Sequence, residues 1–292
     1  MIDEFIYKSL RKFACLKMVL MKRKFRTISI VLFIFIVGSC GEYNKILKST
    51  DLELKYTYAK KYFEAGKYDR AITLLEELVP FFKGTARAEE SLYLLAQSYY
   101  NSKDYVMATE SFSTYYNTFP KGEYAEPALF YAAYGMYLDS PDPRLDQTKT
   151  YKAISEFQRY LEKYPQSERA QQAKDYLFEL QEKLAYKELL AAQLYLKLGS
   201  YMGNNYEAAV ITAREGLKNY PFSEYAEDFQ MTILRAYFEY AERSTRAAQP
   251  ERYRKVVDEY FNYKNSYPNG KYMKEAEMYY REAQKKIEAM PE

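Results

Sequence analysis

The chain of 292 residues has no histidine, no tryptophan and only two cysteines, Cys15 and Cys40. Without histidine it cannot form a serine–histidine or cysteine–histidine catalytic pair, histidine-based acid–base chemistry or an ordinary zinc site. Both cysteines lie in the first 40 residues, so we expect packing rather than disulfides to stabilise the remainder. The composition predicts a protein that is not an enzyme and that needs no metal or other cofactor.

Basic charge is concentrated at the N-terminus. Residues 1–39 hold eight of the 43 basic and two of the 40 acidic residues, so the chain from Cys40 onward has an acidic excess of three. Nucleic-acid binding depends on a basic surface, and this balance removes the main electrostatic argument for it. Paired carboxylates such as Glu76-Glu77 do not favour an enzyme either, because consecutive residues point in different directions on a helix and are interpreted as solvated. We expect no nucleic-acid partner.

The basic cluster in residues 22–26 is followed by the apolar run Ile28–Val37 and then by small residues. This order is typical of a secretory signal, and the run is short for a membrane span of ~20 residues. Residues 37–40, Val-Gly-Ser-Cys, resemble the bacterial lipobox, in which the cysteine receives acyl chains and becomes the new N-terminus. The alternatives are an uncleaved anchor or a buried cysteine that happens to follow an apolar segment.

The lipobox interpretation divides the N-terminal region into a signal and a tether. Met21 begins a complete signal by itself, so residues 1–20 are interpreted as an upstream start assigned in error. Residues 1–39 form the lipoprotein signal segment. We expect residues 40–50 to be a lipidated tether, a short leash that starts at Cys40.

One unit of sequence is repeated about five times. The segments "NTFPKGEYAEPA", "EKYPQSERAQQA", "KNYPFSEYAEDF" and "NSYPNGKYMKEA" align without gaps, and "PFFKGTARAEES" fits with Lys83 in the proline position. A small or branched apolar residue lies twelve positions before the proline position in all five units. These residues are Ala71, Ala108, Ala153, Ala209 and Val256. Gap-free alignment of the five segments together with this constant offset indicates an internal repeat.

Each unit has the pattern of a helical hairpin. Apolar residues recur at three- and four-residue spacing through "ESLYLLAQSYY" and again through "DYVMATESFSTYY", which indicates two amphipathic helices. The proline after the second helix ends it, because the residue before a proline is pushed out of the helical region. A single hairpin cannot bury its apolar face, so neighbouring units are expected to stack.

The spacing Leu92-x2-Leu95-Ala96-x2-Tyr99, followed by Ala108 and Pro120, resembles the tetratricopeptide repeat. The resemblance implies an all-α fold, an α-solenoid of about five tetratricopeptide-like hairpins. Residues 51–165 are assigned to repeats 1–3, and residues 166–292 to a long-helix region and repeats 4–5. The stretch "LFELQEKLAYKELLAAQLYLKLGSYMGNNY" is either one long helix or two with a tight break, ending near Gly199.

A lipobox, five repeats and a long fourth-unit helix, in that order, resemble the BamD family of lipoproteins in the outer-membrane β-barrel assembly machinery. The resemblance implies a non-enzymatic scaffold, lipid-anchored through Cys40 on the periplasmic side of the outer membrane. Its C-terminal repeats would bind the periplasmic domains of the barrel-forming assembly subunit. Its N-terminal repeats would receive the C-terminal strand of unfolded outer-membrane proteins, and other assembly lipoproteins would join the complex.

Two candidate surfaces follow from this resemblance and from helix periodicity. On the helix "AAVITAREGLKNYP", Arg214 and Lys218 are candidates for contact with the assembly subunit, and the alternative is a solvated helix face. The first helix of each hairpin is expected to line a concave groove suited to an extended peptide that ends in an aromatic residue. The alternative is that these rings only pack between hairpins. The predicted groove residues are Tyr56, Lys60, Phe63, Tyr93, Gln97 and Tyr100.

Two other kinds of lipoprotein share the predicted fold. A tetratricopeptide-repeat lipoprotein that scaffolds cell-wall or division factors would have the same anchor and a different partner. A nutrient-binding lipoprotein would need large insertions to form a ligand pocket, and this chain is too short and too regular for them.

Overall fold

The structure is a computed structural model that describes residues 41–289, and every regular element in that range is an α-helix. The chain divides into two compact units after Lys103, and each is described by itself. Unit 1 holds α1 (41–47), α2 (Leu52–Glu64), α3 (Tyr68–Phe82) and α4 (Ala88–Asn101). Unit 2 holds α5 (Tyr105–Thr118), α6 (Ala125–Leu138), α7 (Thr148–Lys163), α8 (Ala170–Leu198), α9 (Asn205–Asn219), α10 (Ala226–Glu242), α11 (Gln249–Ser266) and α12 (Met273–Glu288).

The predicted fold class, an α-solenoid of tetratricopeptide-like hairpins, is confirmed. The five residues twelve positions before the proline position are at most 1% exposed, so the repeat frame marks the helix contacts. The residue before each proline is a helix C-cap with φ between −126° and −134° and ψ between 57° and 65°. Proline excludes the helical conformation at the preceding residue, and each second helix therefore ends at the same place in its repeat.

A tyrosine five residues before the proline closes two of the four turns of this kind in unit 2. The hydroxyl of Tyr115 accepts a hydrogen bond from the backbone N–H of Tyr124 at 3.0 Å, and Tyr263 accepts the corresponding bond at 3.1 Å. The fourth repeat has Gly216 at this position, and a Cβ there would lie 2.3 Å from the Phe229 ring. The missing side chain lets α9 and α10 approach closely.

The long stretch of the fourth repeat is one helix, α8, with 29 residues. Its first half packs with α6 and α7 through residues such as Leu180, and its second half packs with α9 and α10 through residues such as Leu189. It ends at Gly199, where φ is +57° and a Cβ would lie 2.6 Å from the Tyr206 hydroxyl. Glycine is favoured there because it adopts positive φ without steric cost.

One buried core in unit 2 extends across residue 165, the boundary between the predicted repeats 1–3 and the predicted long-helix region. Phe157 and Tyr160 of α7 share one buried cluster with Ala173 and Leu180 of α8. The core therefore continues across Pro165, and residues 104–289 form a single unit.

The part of the predicted tether that the structure describes contains a helix. Within residues 40–50, α1 packs on α2: Ile46 is only 5% exposed, and the Tyr43 and Tyr62 rings meet edge-on with centroids 5.6 Å apart. The signal segment 1–39 and Cys40 lie outside the described residues. Across residues 41–289, no helix has both the length and the apolar character that a membrane span requires.

Candidate peptide-binding and partner-binding surfaces

Paired charges join α2 to α4 in unit 1. The ammonium of Lys60 lies 2.5 Å from a carboxylate oxygen of Glu90. The guanidinium of Arg87, just before α4, lies 3.2 Å from Glu53 and 3.7 Å from Glu90. The side chains of Lys60 and Arg87 remain 43% and 45% exposed. We call these four residues the charged surface; its exposed cations can exchange a protein carboxylate for one on a ligand.

Tyr56 lies beneath the charged surface rather than on it. Its ring is 2% exposed, meets the Phe82 ring edge-on at 5.6 Å and lies 4.9 Å from the Arg87 guanidinium. Hydrogen bonds from Lys60 and then from Tyr56 hold the pKa of Glu90 below its ordinary value. Tyr56 thus supports the ion pairs, and its ring does not form an open wall. A cleft of about 400 Å³ is lined by Tyr56, Lys60 and Arg87, among others.

The remaining predicted groove residues differ in exposure. Tyr93 is buried, and its hydroxyl accepts a hydrogen bond from the half-buried Gln97 at 3.1 Å. Phe63 and Tyr100 are half-buried, and the Phe63 ring lies 5.6 Å from that of Tyr68. The rings of Tyr56 and Tyr93 therefore pack in the interior. Lys60, Phe63, Gln97 and Tyr100 keep accessible surface.

Sequence reasoning missed Arg87. It contacts Glu53 and Glu90 and covers the Tyr56 ring, so it is central to the charged surface. It lies outside the regular helical pattern, at the N-cap position of α4. The sequence feature that could have indicated Arg87 is its position three residues before Glu90, because residues at that spacing share a helix face.

Unit 2 carries an aromatic cluster that sequence reasoning also missed. Tyr134 and Tyr137 of α6 and Tyr176 of α8 are half-buried, and their ring centroids lie 4.6–5.8 Å apart. The hydroxyl of Tyr137 donates to Glu179. Burial and then this bond raise the pKa of Tyr137 to about 12. We call the three rings the aromatic surface; the three-residue spacing of tyrosines in "YGMY" was the available signal.

Arg214 holds a buried carboxylate in unit 2. Its guanidinium on α9 lies 3.3 Å from Glu259 on α11 and donates to the Tyr237 hydroxyl at 3.2 Å. The Glu259 side chain is 4% exposed and that of Arg214 is 56% exposed. Burial raises the pKa of Glu259, and the Arg214 charge opposes this shift. Arg214 therefore links α9 to α11 and still presents part of its guanidinium to solvent, while Lys218, one turn later, is exposed.

Arg214 borders two clefts. One has a volume of about 400 Å³ and is also lined by Tyr240 and Arg252. The other has a volume of about 410 Å³ and is also lined by Asn262. A partner group bound in either cleft would contact the Arg214 side chain.

The C-terminal end of α8 carries exposed apolar residues. Leu194, Tyr195 and Leu198 are 56%, 38% and 39% exposed, and the following turn adds Tyr201 and Met202 at 67% and 90%. Residues at this three- and four-residue spacing share one helix face. Exposed apolar patches of this kind are typical of interaction sites. We call these five residues the apolar edge.

Comparison with known proteins identifies the family. A model described as "YfiO: Outer membrane lipoprotein" matches residues 49–204. The chain belongs to this family. The match covers both α2 and α4 and extends through the whole of α8, so it includes the charged surface and the aromatic surface.

Curated relatives share a description as outer-membrane assembly factors. The chain is 27% identical to the putative outer membrane protein assembly factor BamD of Aquifex aeolicus, over 70% of this chain and 67% of that protein. It is 23% identical to the outer membrane protein assembly factor BamD of Vibrio cholerae, over 73% of this chain and 91% of that protein. At family level the chain is therefore a BamD-like outer-membrane assembly factor.

Among solved structures, the chain is similar to the TPR2AB domain in a pHSP90 complex of yeast Sti1. The TM-score is 0.35 and the identity is 14%, over 80% of this chain and 98% of that one. Likeness of this degree says nothing about what the present chain binds.

Proposed function

We propose that this protein is a non-enzymatic scaffold of the outer-membrane β-barrel assembly machinery, lipid-anchored at Cys40 on the periplasmic side. One observation carries the proposal, namely the family match over residues 49–204 to an outer-membrane lipoprotein. Curated relatives described as outer-membrane assembly factors support it. The lipobox before α1 supports the anchor, because the several acyl chains of a lipoprotein hold a soluble domain at a membrane.

The charged surface of unit 1 is proposed to receive the C-terminal segment of unfolded outer-membrane proteins. Lys60 and Arg87 are exposed cations whose present partners are carboxylates, so a peptide's terminal carboxylate matches their chemistry. Phe63 and Tyr100 offer partly exposed rings to an aromatic side chain of the same peptide. Exposed ion pairs contribute only about 0–1 kcal/mol each, which makes an exchange of partners inexpensive.

Unit 2 is proposed to bind the periplasmic domains of the barrel-forming assembly subunit. Arg214 is more than half exposed between two clefts, and Lys218 is exposed on the same helix. The apolar edge supplies the kind of surface that forms the centre of protein interfaces, and exposed cations such as Arg214 suit the polar rim. Other assembly lipoproteins are further candidate partners.

The experiment that tests this function is affinity purification of the tagged full-length protein from its native membranes in mild detergent. Mass spectrometry should find the barrel-forming assembly subunit in near-equal amount, and a Cys40→Ala variant should lose membrane attachment. Recovery of cell-wall or division proteins without that subunit would overturn the assembly function and favour the alternative scaffold.

The peptide surface has its own test. A peptide matching the C-terminal strand of a barrel protein, ending in phenylalanine, is compared with the same peptide amidated at its C-terminus. Arg87→Ala should weaken binding of the free-acid peptide and leave the weaker binding of the amide unchanged. Lys83→Ala, at an exposed position elsewhere in unit 1, is the matched control. Equal affinity of both peptides for the unmodified protein would contradict the carboxylate assignment.

A further inference from the structure

Helix α1 is fastened to the first hairpin by three kinds of contact. Ile46 is buried. The Tyr43 ring lies edge-on to Tyr62, with the Arg70 guanidinium 5.0 Å from its centroid. The carboxylate of Glu42 accepts a hydrogen bond from the Tyr58 hydroxyl at 2.9 Å. An apolar side chain, a ring–cation contact and a polar bond therefore hold a helix of only two turns in one position.

The Glu42 contact is made at neutral pH. The hydrogen bond from Tyr58 and the nearby ammonium of Lys61, at 3.5 Å, hold the pKa of Glu42 below its ordinary value. Glu42 is therefore ionised, and its charge is paired with groups on α2. This pairing holds the N-terminal end of α1, which directly follows Cys40 in the sequence, against α2.

Docking of α1 removes the slack between Cys40 and unit 1. A flexible tether of ten residues would give a root-mean-square reach of ~18 Å. Cys40 is separated from Gly41, the first residue of α1, by one peptide bond, or ~3.8 Å between Cα atoms. A lipid on Cys40 would therefore be held beside the surface of α1 rather than at the end of a flexible tether.

The open face of α1 suits phospholipid headgroups. Tyr43 and Ile46 face the hairpin, whereas Asn44 and Lys45 are exposed, and so is Lys48 in the turn directly after α1, where its backbone N–H donates to the Asn44 carbonyl at 3.3 Å. Helical periodicity places residues 41, 44, 45 and 48 on one side, the side away from Ile46. The open side therefore carries two ammonium groups and no carboxylate, and lysines next to an anionic bilayer are attracted to its phosphates.

We propose that α1 is a rigid membrane-orienting element: it holds the C-terminal half of α2 toward the bilayer, with Lys45 and Lys48 on anionic phospholipid phosphates beside the lipid of Cys40. This inference rests on the proposed lipidation. It adds a fixed orientation of unit 1 and names the anionic phospholipid headgroup as a ligand of α1.

The test uses fluorescent labels on the full-length lipidated protein in vesicles. The chain has no cysteine after Cys40, so Asn44→Cys and Lys83→Cys each create one labelling site. Lys83 lies at the far end of the same hairpin, and α2 alone spans ~20 Å. Vesicles contain phosphatidylcholine and phosphatidylglycerol with a nitroxide quencher on the headgroup. The label at residue 44 should be quenched more strongly than the label at residue 83, because it lies nearer the bilayer.

Two variants separate the parts of the proposal. A twelve-residue Gly/Ser insertion between Cys40 and Gly41, beginning with glycine to keep the residue after the cysteine, should equalise quenching at the two labels. Lys45→Glu with Lys48→Glu should reduce quenching at residue 44 only when phosphatidylglycerol is present. Equal quenching without the insertion, or a difference that survives it, would overturn the orientation.

The outcome is distinguishable from failure of the proposed function. Mass spectrometry of the same samples reports whether Cys40 carries acyl chains, and co-purification reports the assembly subunit. A lipidated chain that recovers the subunit but shows equal quenching would overturn the orientation alone. A chain without acyl groups would overturn the anchor together with the orientation.

Discussion

The first helices of the hairpins share one repeat frame, but they carry different chemistry in unit 1 and in unit 2. In unit 1 the surface of α2 and α4 is built from the charges of Lys60, Arg87 and Glu90. In unit 2 the surface of α6 and α8 is built from the rings of Tyr134 and Tyr176 and their neighbours. The buried alanines at the constant repeat offset determine how the hairpins stack. The surface positions of the first helices are therefore free to vary. An array of similar hairpins can therefore present unlike surfaces to unlike partners.

The two surfaces also differ in what they contribute to stability. An exposed ion pair contributes about 0–1 kcal/mol, and salt weakens it. An aromatic pair contributes about 0.5–1.5 kcal/mol beyond the area it buries. We therefore expect the charged surface to be changed with little loss of stability and the aromatic surface to be part of the core of unit 2.

The largest expected effect is on the support of the aromatic surface. Phe157 is fully buried, and its ring lies 5.7 Å from that of Tyr176. Phe157→Ala should lower the free energy of unfolding by about 3–5 kcal/mol, because it leaves a cavity under the rings. Urea denaturation followed by circular dichroism measures the loss. Phe178→Ala, at a half-exposed position on α8, is the control, and an equal loss there would contradict the assignment.

A second prediction concerns the one strongly buried ammonium among the described residues of unit 1. Lys55 is 4% exposed, and its nitrogen lies 2.6 Å from Glu77. Glu77→Gln should cost about 1.5–3 kcal/mol, because it leaves that charge without a carboxylate. Lys55→Met should be neutral or stabilising, since it removes the desolvation cost together with the pair. Equal losses from both substitutions, measured by urea denaturation, would show that the ion pair itself is net stabilising.

A smaller effect is expected from one hydroxyl in unit 2. The Tyr160 hydroxyl donates to Glu126 and lies 2.8 Å from the Ser167 hydroxyl, and Arg169 pairs with the same carboxylate at 2.9 Å. Tyr160→Phe should cost about 1 kcal/mol, because Glu126 keeps its other donors. The control is Tyr195→Phe on the apolar edge, which should leave the midpoint of urea denaturation unchanged. An equal shift of the midpoint in both variants would contradict a specific contribution of the Tyr160 hydroxyl.

Much of the fold was predictable because packing repeats along the chain. Ala71 and Ala153 mark helix contacts at a fixed offset, and glycine at residue 199 marks the end of α8. The surfaces were harder to predict. Helical periodicity placed Tyr56 toward the groove, but Arg87 lies across its ring and covers it. The sequence around Tyr56 does not indicate which residue of the next hairpin will cover the ring. Packing of α1 depends on contacts such as Tyr43 with Tyr62, between separate elements, which no helix pattern reveals.

The smallest expected effect concerns how the free energy of unfolding depends on pH, because the carboxylates of the two units should contribute slopes of opposite sign. The pKa of Glu90 in unit 1 is lowered in the folded state, so its contribution is present above the unfolded pKa and is lost as pH falls. The pKa of Glu259 in unit 2 is raised, so the folded state holds the Glu259 proton more tightly than the unfolded state does. The free energy of unfolding therefore falls as pH rises from the ordinary pKa of a glutamate toward the raised pKa. Glu90→Gln should flatten the acid side of the stability profile, and Glu259→Gln should remove the decline toward neutral pH. Urea denaturation at intervals between about pH 4 and pH 7 measures both slopes. Slopes of the same sign would mean that the Arg214 charge outweighs the burial of Glu259, and that the two units hold their carboxylates in the same way.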